Sequence, residues 1–247
     1  MVVKAGPKGE WHCQPDNGTF ELWYNGHRLM ADSGSYIYAG DAEVMKWRNW
    51  FRQTAVHNTL TLDGKNLQTT ESKTLLWQPE GEVQVLVTEN PSYEGLTHRR
   101  TVFFVEESYF VIVDEAVGSA EGVVNLNYQM PVGEVRIDGE KMRCESLNAF
   151  DSNLTLQCFA PRGAKMVEAE GWFSDKYKSK VERKRVSVDV TKSATTESVR
   201  YVTVIVPHKE AQNGPKISAK LVGEYKPNGV SVKVKVDKKS RNLKVKF

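Results

Sequence analysis

Apolar residues recur at every second position through most of this chain, and that period constrains its fold more than any other feature. A period of two sends alternate side chains to opposite faces of an extended strand, so β-structure is predicted. Thr19 to Tyr24 is a predicted strand, Asn25-Gly26 a two-residue hairpin turn, and His27 to Ala31 the return. Asn58 to Leu62 ends at Asp63-Gly64, and Glu82 to Thr88 alternates again. Thr101 to Val105 and Tyr109 to Val113, joined at Glu106-Glu107, predict a buried hairpin. Further strands are predicted at Val123 to Gln129, Leu154 to Phe159, Val199 to Val206 and Ile217 to Val222. The chain closes with Ser231 to Val236 and Leu243 to Phe247 around a Lys238-Lys239-Ser240-Arg241 turn. Only Asp41 to Gln53 departs from the pattern, because Val44, Trp47 and Phe51 have the spacing of a short helix or ordered loop. The expected fold is all-β: a large antiparallel β-sandwich of several sheets, with at most one short helix near 41–53.

At 247 residues there is room for one large all-β unit or two smaller ones, and the 40% apolar share allows a core that needs no staples. Cys13, Cys144 and Cys158 give no CxxC pair and no disulfide framework, so buried free thiols are expected. No stretch is apolar enough to cross a membrane as a helix, and residues 1–7 lack a signal-peptide hydrophobic run. Motif residues begin by position 12 with almost no lead-in, so a fragment of a longer polypeptide is expected. The net charge of +3 suits an acidic substrate without demanding one. Lys176 to Arg185, the densest charge run, is expected to be a solvated loop, with a polyanion contact as the rival reading. Lys233, Lys235, Lys244 and Lys246 fit the solvent face of a strand guarding a sheet edge, with a nucleic-acid or heparin stripe as the alternative. There is no G-x-S-x-G, phosphate loop, H-E-x-x-H or Rossmann glycine pattern, which argues against familiar hydrolase triads, nucleotide enzymes and zinc proteases.

The chemistry-bearing residues concentrate between Trp11 and Gly64. His12, at a strand-loop junction, has a side chain whose ordinary pKa suits a general acid or base, or it is a plain surface histidine. Gln14, Asp32 and His57 carry oxygen and nitrogen donors near strand ends. They form either a divalent-cation site or a hydrogen-bonded polar cluster, and the small polar residues after Asp32 and His57 suit tight turns that gather side chains. Arg48, Arg52, Arg99 and Arg100 offer planar guanidinium forks for carboxylate or sulfate. Trp11, Trp47, Trp50 and Tyr36 would either stack on sugar rings or pack in the core.

At these motifs the chain resembles the C-terminal β-domain of the heparinase II/III-like polysaccharide lyases. The carrying residues are Trp11-His12-x-Gln14-x-Asp16, the Asn25-Gly26 hairpin leading into Ala31-Asp32-Ser33-Gly34-Ser35-Tyr36, and Thr54-Ala55-Val56-His57-Asn58-Thr59-Leu60-Thr61-Leu62-Asp63-Gly64. The last is the most specific, since the family's H-N-T-hydrophobic-x-hydrophobic-D-G run is intact. The resemblance implies that residues 1–247 are one C-terminal β-sandwich domain whose N-terminal helical toroid is absent here. It implies β-elimination at the uronic acid of heparan sulfate, with His12 catalytic and Gln14, Asp32 and His57 at the metal positions. In the alginate-lyase and heparinase II branches that the motif resembles, a histidine stands where this chain has Gln14. An amide oxygen there hardens the ligand set, so calcium is favoured over zinc, and the variant points to the heparinase III branch. Arg48, Arg52 and Tyr36 are the expected substrate contacts. The implied partners are an acidic glycosaminoglycan and the toroid, not nucleic acid or membrane, and the implied location of the full protein is the bacterial periplasm. The alternatives are a lyase for alginate or another uronate polymer, and a non-catalytic carbohydrate-binding β-sandwich.

Overall fold

The computed structural model describes residues 1–7, 13–148, 150–211 and 214–247. Its middle layer is an eight-stranded antiparallel sheet. In spatial order the strands are Val135–Asp138, Arg143–Ser146, Asn153–Phe159, Ser198–His208, Tyr109–Val117, Leu96–Val105, Val83–Tyr93 and Lys73–Gln78. Both faces of this sheet are covered, so the alternating residues of its strands feed two separate cores. Phe110, Ile112 and Ala116 enter one core, while Tyr109, Val111 and Val113 enter the other.

The first core is closed by two sheets lying over the same face. One is four-stranded, in the order Lys165–Ala169, Arg185–Lys192, Gly122–Gln129 and Leu60–Leu62. The other joins Val2–Val3, Phe20–Tyr24 and His27–Met30. Polar ties cross this core: Tyr128 Oη donates to Thr203 Oγ1 at 2.8 Å and Tyr201 Oη to the Val124 carbonyl at 3.1 Å. The second core lies under a three-stranded sheet of Ile217–Leu221, Gly229–Val236 and Lys239–Lys246, which supplies Val230, Val232, Val234, Leu243 and Val245. The expected antiparallel sandwich is therefore a three-layered one.

One α-helix, Ala42–Phe51, is present among the described residues, inside the predicted segment. Asp41 caps it by accepting from the Val44 amide at 2.9 Å. Two expectations need correction. Lys176 to Arg185 is not a solvated loop: strands Trp172–Lys176 and Ser179–Glu182 form a hairpin, and Lys180 Nζ stands 3.6 Å and 3.4 Å from the ring centroids of Trp47 and Trp172. Arg185–Lys192 then continues as a strand whose Val186, Val188 and Val190 point into the core. The four C-terminal lysines do lie on the solvent face, but Lys233 and Lys235 sit on the central strand, not the edge. The three cysteines are free as expected, with Cys144 and Cys158 buried and Cys13 half-buried.

Candidate functional site

The run from Thr54 to Thr59 is fastened to the segment before the first hairpin by side chains that bond to backbone. Thr54 Oγ1 donates to the Pro15 carbonyl at 2.5 Å, and Thr59 Oγ1 to the Asn17 carbonyl at 2.7 Å. Asn58, fully buried, donates to the Phe20 carbonyl at 2.8 Å and accepts from the Gln129 amide at 2.7 Å. Small polar residues do this because their donors and acceptors lie within reach of adjacent backbone. His57 is thereby held beside the segment that carries Gln14 and Asp16.

Asp32 reaches the same place from a tight turn. Its Oδ1 accepts from the Gly34 amide at 2.8 Å, and Ser33 Oγ donates to the Val56 carbonyl at 2.5 Å. Gly34 has φ +83°, and a Cβ there would lie 2.0 Å from the Ser174 carbonyl oxygen, so the turn docks on the hairpin only as glycine. From beneath, buried Arg183 donates to the Ala31 carbonyl at 2.8 Å and to Ser33 Oγ at 2.6 Å.

Asp32 Oδ2 and His57 Nδ1 meet at 2.6 Å. One ligand atom from each of Asp16, Asp32 and His57 lies within 4.8 Å of the others. Gln14 Nε2 donates to the Gly34 carbonyl at 3.1 Å, while its Oε1 and His57 Nε2 are buried without partners. Lys4 Nζ pairs with Asp16. Burial alone would raise the Asp32 carboxyl, but the His57 imidazolium, the Gly34 amide and Arg183 outweigh it and hold the pKa at about 2. Burial disfavours charged His57, yet Asp32 outweighs that and lifts its pKa. Burial pulls Arg183 down to about 10 against the pull of Asp32. Asp16, Asp32 and His57 stand close enough together to hold a divalent cation, and the unpartnered Gln14 Oε1 is a further oxygen donor on a side chain tied to the Asp32 turn. They offer two carboxylates, one unpartnered amide oxygen and one imidazole, a predominantly oxygen set that suits a hard ion.

Of the expected metal residues, Asp32 and His57 are brought into contact, and Gln14 is tied to the same turn. Asp16 was outside the expected ligand set, although its spacing from Gln14 already placed the two together. Arg183 and Lys4 had no sequence signal: one lies in a charge run and the other in the lead-in. His12 and Trp11 lie outside the described residues.

Arg52 Nη2 donates to the Cys13 carbonyl at 3.4 Å, which places this expected substrate contact against the start of the Cys13–Asp16 segment. Arg48, one helical turn earlier, is buried with Nη1 unpartnered and its Cζ 4.9 Å from the Tyr38 ring centroid. Tyr36 stacks on Phe51 at 5.7 Å between centroids and meets Trp47 edge-on at 6.3 Å. Arg99 and Arg100 are corrected: both are buried ion-pair partners, not ligand forks. Arg99 bonds Glu89 at 3.1 Å, and Arg100 bonds Asp114 at 2.7 Å and the Asn58 carbonyl at 2.7 Å.

The sequence matches the family described as Heparinase II/III-like, C-terminal, over residues 1–219. A heparin-sulfate lyase of Bacteroides stercoris is 57% identical over 248 residues, covering all of this chain and 37% of that protein. Its counterpart in Pedobacter heparinus is 37% identical over 220 residues, covering 88% of this chain and 33% of that protein. A solved structure described as a heparinase III gene product matches with a TM-score of 0.96 at 56% identity, over 100% of this chain and 39% of that one. The crystal structure of a heparan sulfate lyase from Pedobacter heparinus gives a TM-score of 0.93 at 31% identity, over 99% of this chain and 39% of that one. This chain thus spans between 33% and 39% of the length of these proteins. By sequence match and by shared three-dimensional structure, the chain belongs to the heparinase II/III-like C-terminal family.

Proposed function

We propose that this chain is the β-sandwich part of a polysaccharide lyase that cleaves heparan sulfate-type glycosaminoglycan by β-elimination. The observation that carries the reading is the 2.6 Å contact between Asp32 and His57, two residues distant in sequence that the family resemblance assigns to one site. It is supported by relatives named heparin-sulfate lyase.

In the elimination, a base takes the proton beside the uronate carboxylate and the resulting electron pair forms a ring double bond. The glycosidic C–O bond breaks as an acid protonates the leaving oxygen. His12 is the proton-transfer group this chain contributes. Arg52, bonded to the Cys13 carbonyl, and Arg48 supply guanidinium charge for the uronate carboxylate or a sulfate, which acidifies the proton to be removed. Tyr36, stacked on Phe51 by one face, offers its other face to a sugar ring. Gln14, Asp16, Asp32 and His57 would hold a divalent cation, calcium in preference to zinc, whose fixed charge would lock the Asp32 turn to the Gln14–Asp16 segment. The remaining proton-transfer groups would come from an N-terminal helical toroid of the full-length protein.

The test is His12→Ala in the full-length protein, followed by the ultraviolet absorbance of the unsaturated uronate product. Turnover should fall by about 10²–10⁴-fold with glycan binding retained. Turnover within threefold of wild type would refute the role of His12. Glycan binding with no turnover by the wild-type protein on heparan sulfate, alginate or other uronate polymers would favour a carbohydrate-binding module.

A further inference from the structure

The net charge of +3 conceals two opposite parts. Residues 216–247 contain ten Lys and Arg against two acids, whereas residues 1–215 contain 24 against 29. The basic excess of the whole chain therefore resides in the C-terminal three-stranded sheet, most of which lies beyond the family match ending at residue 219.

Strand alternation then sorts that charge. Val230, Val232, Val234, Leu243 and Val245 face the core, so Lys233, Lys235, Lys244 and Lys246 share the outer face, and Lys220 joins them directly opposite Lys233. All five lysines are exposed, and none makes an ion pair among the described residues. The residues between them on that face are Ser218, Ser231, Ser240 and Asn242, with no carboxylate. Edge protection does not account for this pattern. Lys233 and Lys235 are on the central strand, where no edge needs guarding, and like charges directly opposite, as in Lys220 and Lys233, destabilise a sheet.

We propose that this outer face is a second binding surface for a linear sulfated glycan, on the opposite side of the eight-stranded sheet from the Asp32–His57 site. The choice of glycan rests on the lyase reading above; the polyanion character rests on this face alone. By strand spacing the lysines form a track of about 20 Å by 10 Å, from Lys235 past Lys220 and Lys233 to Lys244 and Lys246. Hydroxyls and one amide between the ammonium groups suit sulfate and carboxylate oxygens. The face has no aromatic side chain on which a nucleic-acid base would stack, which favours glycan over single-stranded nucleic acid. A polymer held here would stay attached between encounters with the catalytic face, raising its effective concentration there.

The test measures binding, not turnover, so it stands apart from the lyase reading. A labelled heparan sulfate oligosaccharide is titrated with the 247-residue chain across a sodium chloride series. In Lys233→Ser/Lys235→Ser/Lys244→Ser, affinity should drop at least about tenfold, and the slope of log affinity against log salt should shrink by about two to three. The control Lys73→Ser/Lys165→Ser/Lys209→Ser removes the same charge from elsewhere and should change affinity less than about threefold. The proposal is overturned if both triples lose affinity equally, if the first matches wild type, or if a single-stranded oligonucleotide binds this face as tightly as the glycan. Failure of the full-length protein to eliminate would sink the lyase reading and leave this result standing.

Discussion

Arg183 is expected to be worth more to the shape of the Asp32 turn than to global stability. In Arg183→Met the Ala31 carbonyl and Ser33 Oγ lose a charged donor, at about 1.5–3 kcal/mol for each bond. Against this, burial depresses the guanidinium from 12.5 to about 10, so holding it charged already costs about 3 kcal/mol that the variant recovers. The balance is a global loss of only about 0–3 kcal/mol. The local effect has no such offset, because the turn loses its support from beneath. Native-state hydrogen exchange reads this at two amides: Gly34, bonded to Asp32 Oδ1, and Ser174, bonded to the Ser33 carbonyl at 3.0 Å. Their protection should fall by about tenfold or more while the urea midpoint moves little. Arg28→Met is the control, since Arg28 and Arg183 each lie 5.5 Å from the Phe173 ring centroid, but Arg28 makes no hydrogen bond to the turn among the described residues. Unchanged protection at both amides, or a global loss above about 5 kcal/mol, would refute this division of roles.

Gly34→Ala places a Cβ 2.0 Å from the Ser174 carbonyl oxygen at a φ of +83°, and the melting point should fall by roughly 5–10 °C. Calorimetric titration with Ca²⁺ should show weaker binding than wild type, and a normal melting point would contradict the close approach. Glu115, buried beside Arg99 and Arg200, has its pKa raised by burial from 4.5 to about 7 despite those cations. The folded chain therefore keeps a proton that the unfolded chain releases, and this stabilisation is full below about pH 4.5 and lost as pH rises through 7, by up to about 3 kcal/mol. Glu115→Gln should match wild type near pH 4.5 and exceed it at pH 8 in denaturant titrations, and parallel pH profiles would rule this out. Arg100→Lys keeps a charge against Asp114 but not the fork that also reaches the Gly18 and Asn58 carbonyls, and should cost about 2–4 kcal/mol. A urea midpoint equal to wild type would show that charge alone suffices there.

Legibility in the sequence followed the strength of the local signal. Strands with clean alternation and strong turns were readable. In the Asn25-Gly26 hairpin both turn residues have positive φ, as the dipeptide predicts. Arg185–Lys192 alternates as cleanly, through Val186, Val188 and Val190, but the charge run before it concealed the hairpin and the strand beyond. Asp32 and His57 were found by family resemblance, because spacing of 25 residues specifies nothing; only the fold brings them to 2.6 Å. Arg183 and Arg100 were unreadable for the opposite reason. A buried arginine looks like a surface one until its partners, the Ala31 carbonyl 152 residues away and the Gly18 carbonyl 82 residues away, are known. The count of layers was hidden too, since inward alternation does not say which of two cores a side chain enters.

The way the site is held explains why so many polar residues are buried around it. Apolar contacts are non-directional, and a core of valines tolerates small slides between layers. Bonds between side chains and backbone carbonyls fix position and orientation together. Arg100 is the junction. From the middle layer it bonds Asp114, which also meets His98 at 2.6 Å, and its other arm reaches the carbonyls of Gly18 and Asn58. Gly18 follows the Gln14–Asp16 stretch and Asn58 follows His57, so one guanidinium sets the spacing between the two strands of chain that carry the site. Burial holds His98 below its ordinary pKa in spite of Asp114, which leaves Arg100 as the cation that balances that carboxylate. The third layer touches none of this network. It packs through Val230, Val232, Val234, Leu243 and Val245, flanked by Ile217, Ala219, Leu221, Val236 and Phe247, and turns Lys233, Lys235, Lys244 and Lys246 outward, so those four charges can be altered without moving the candidate site.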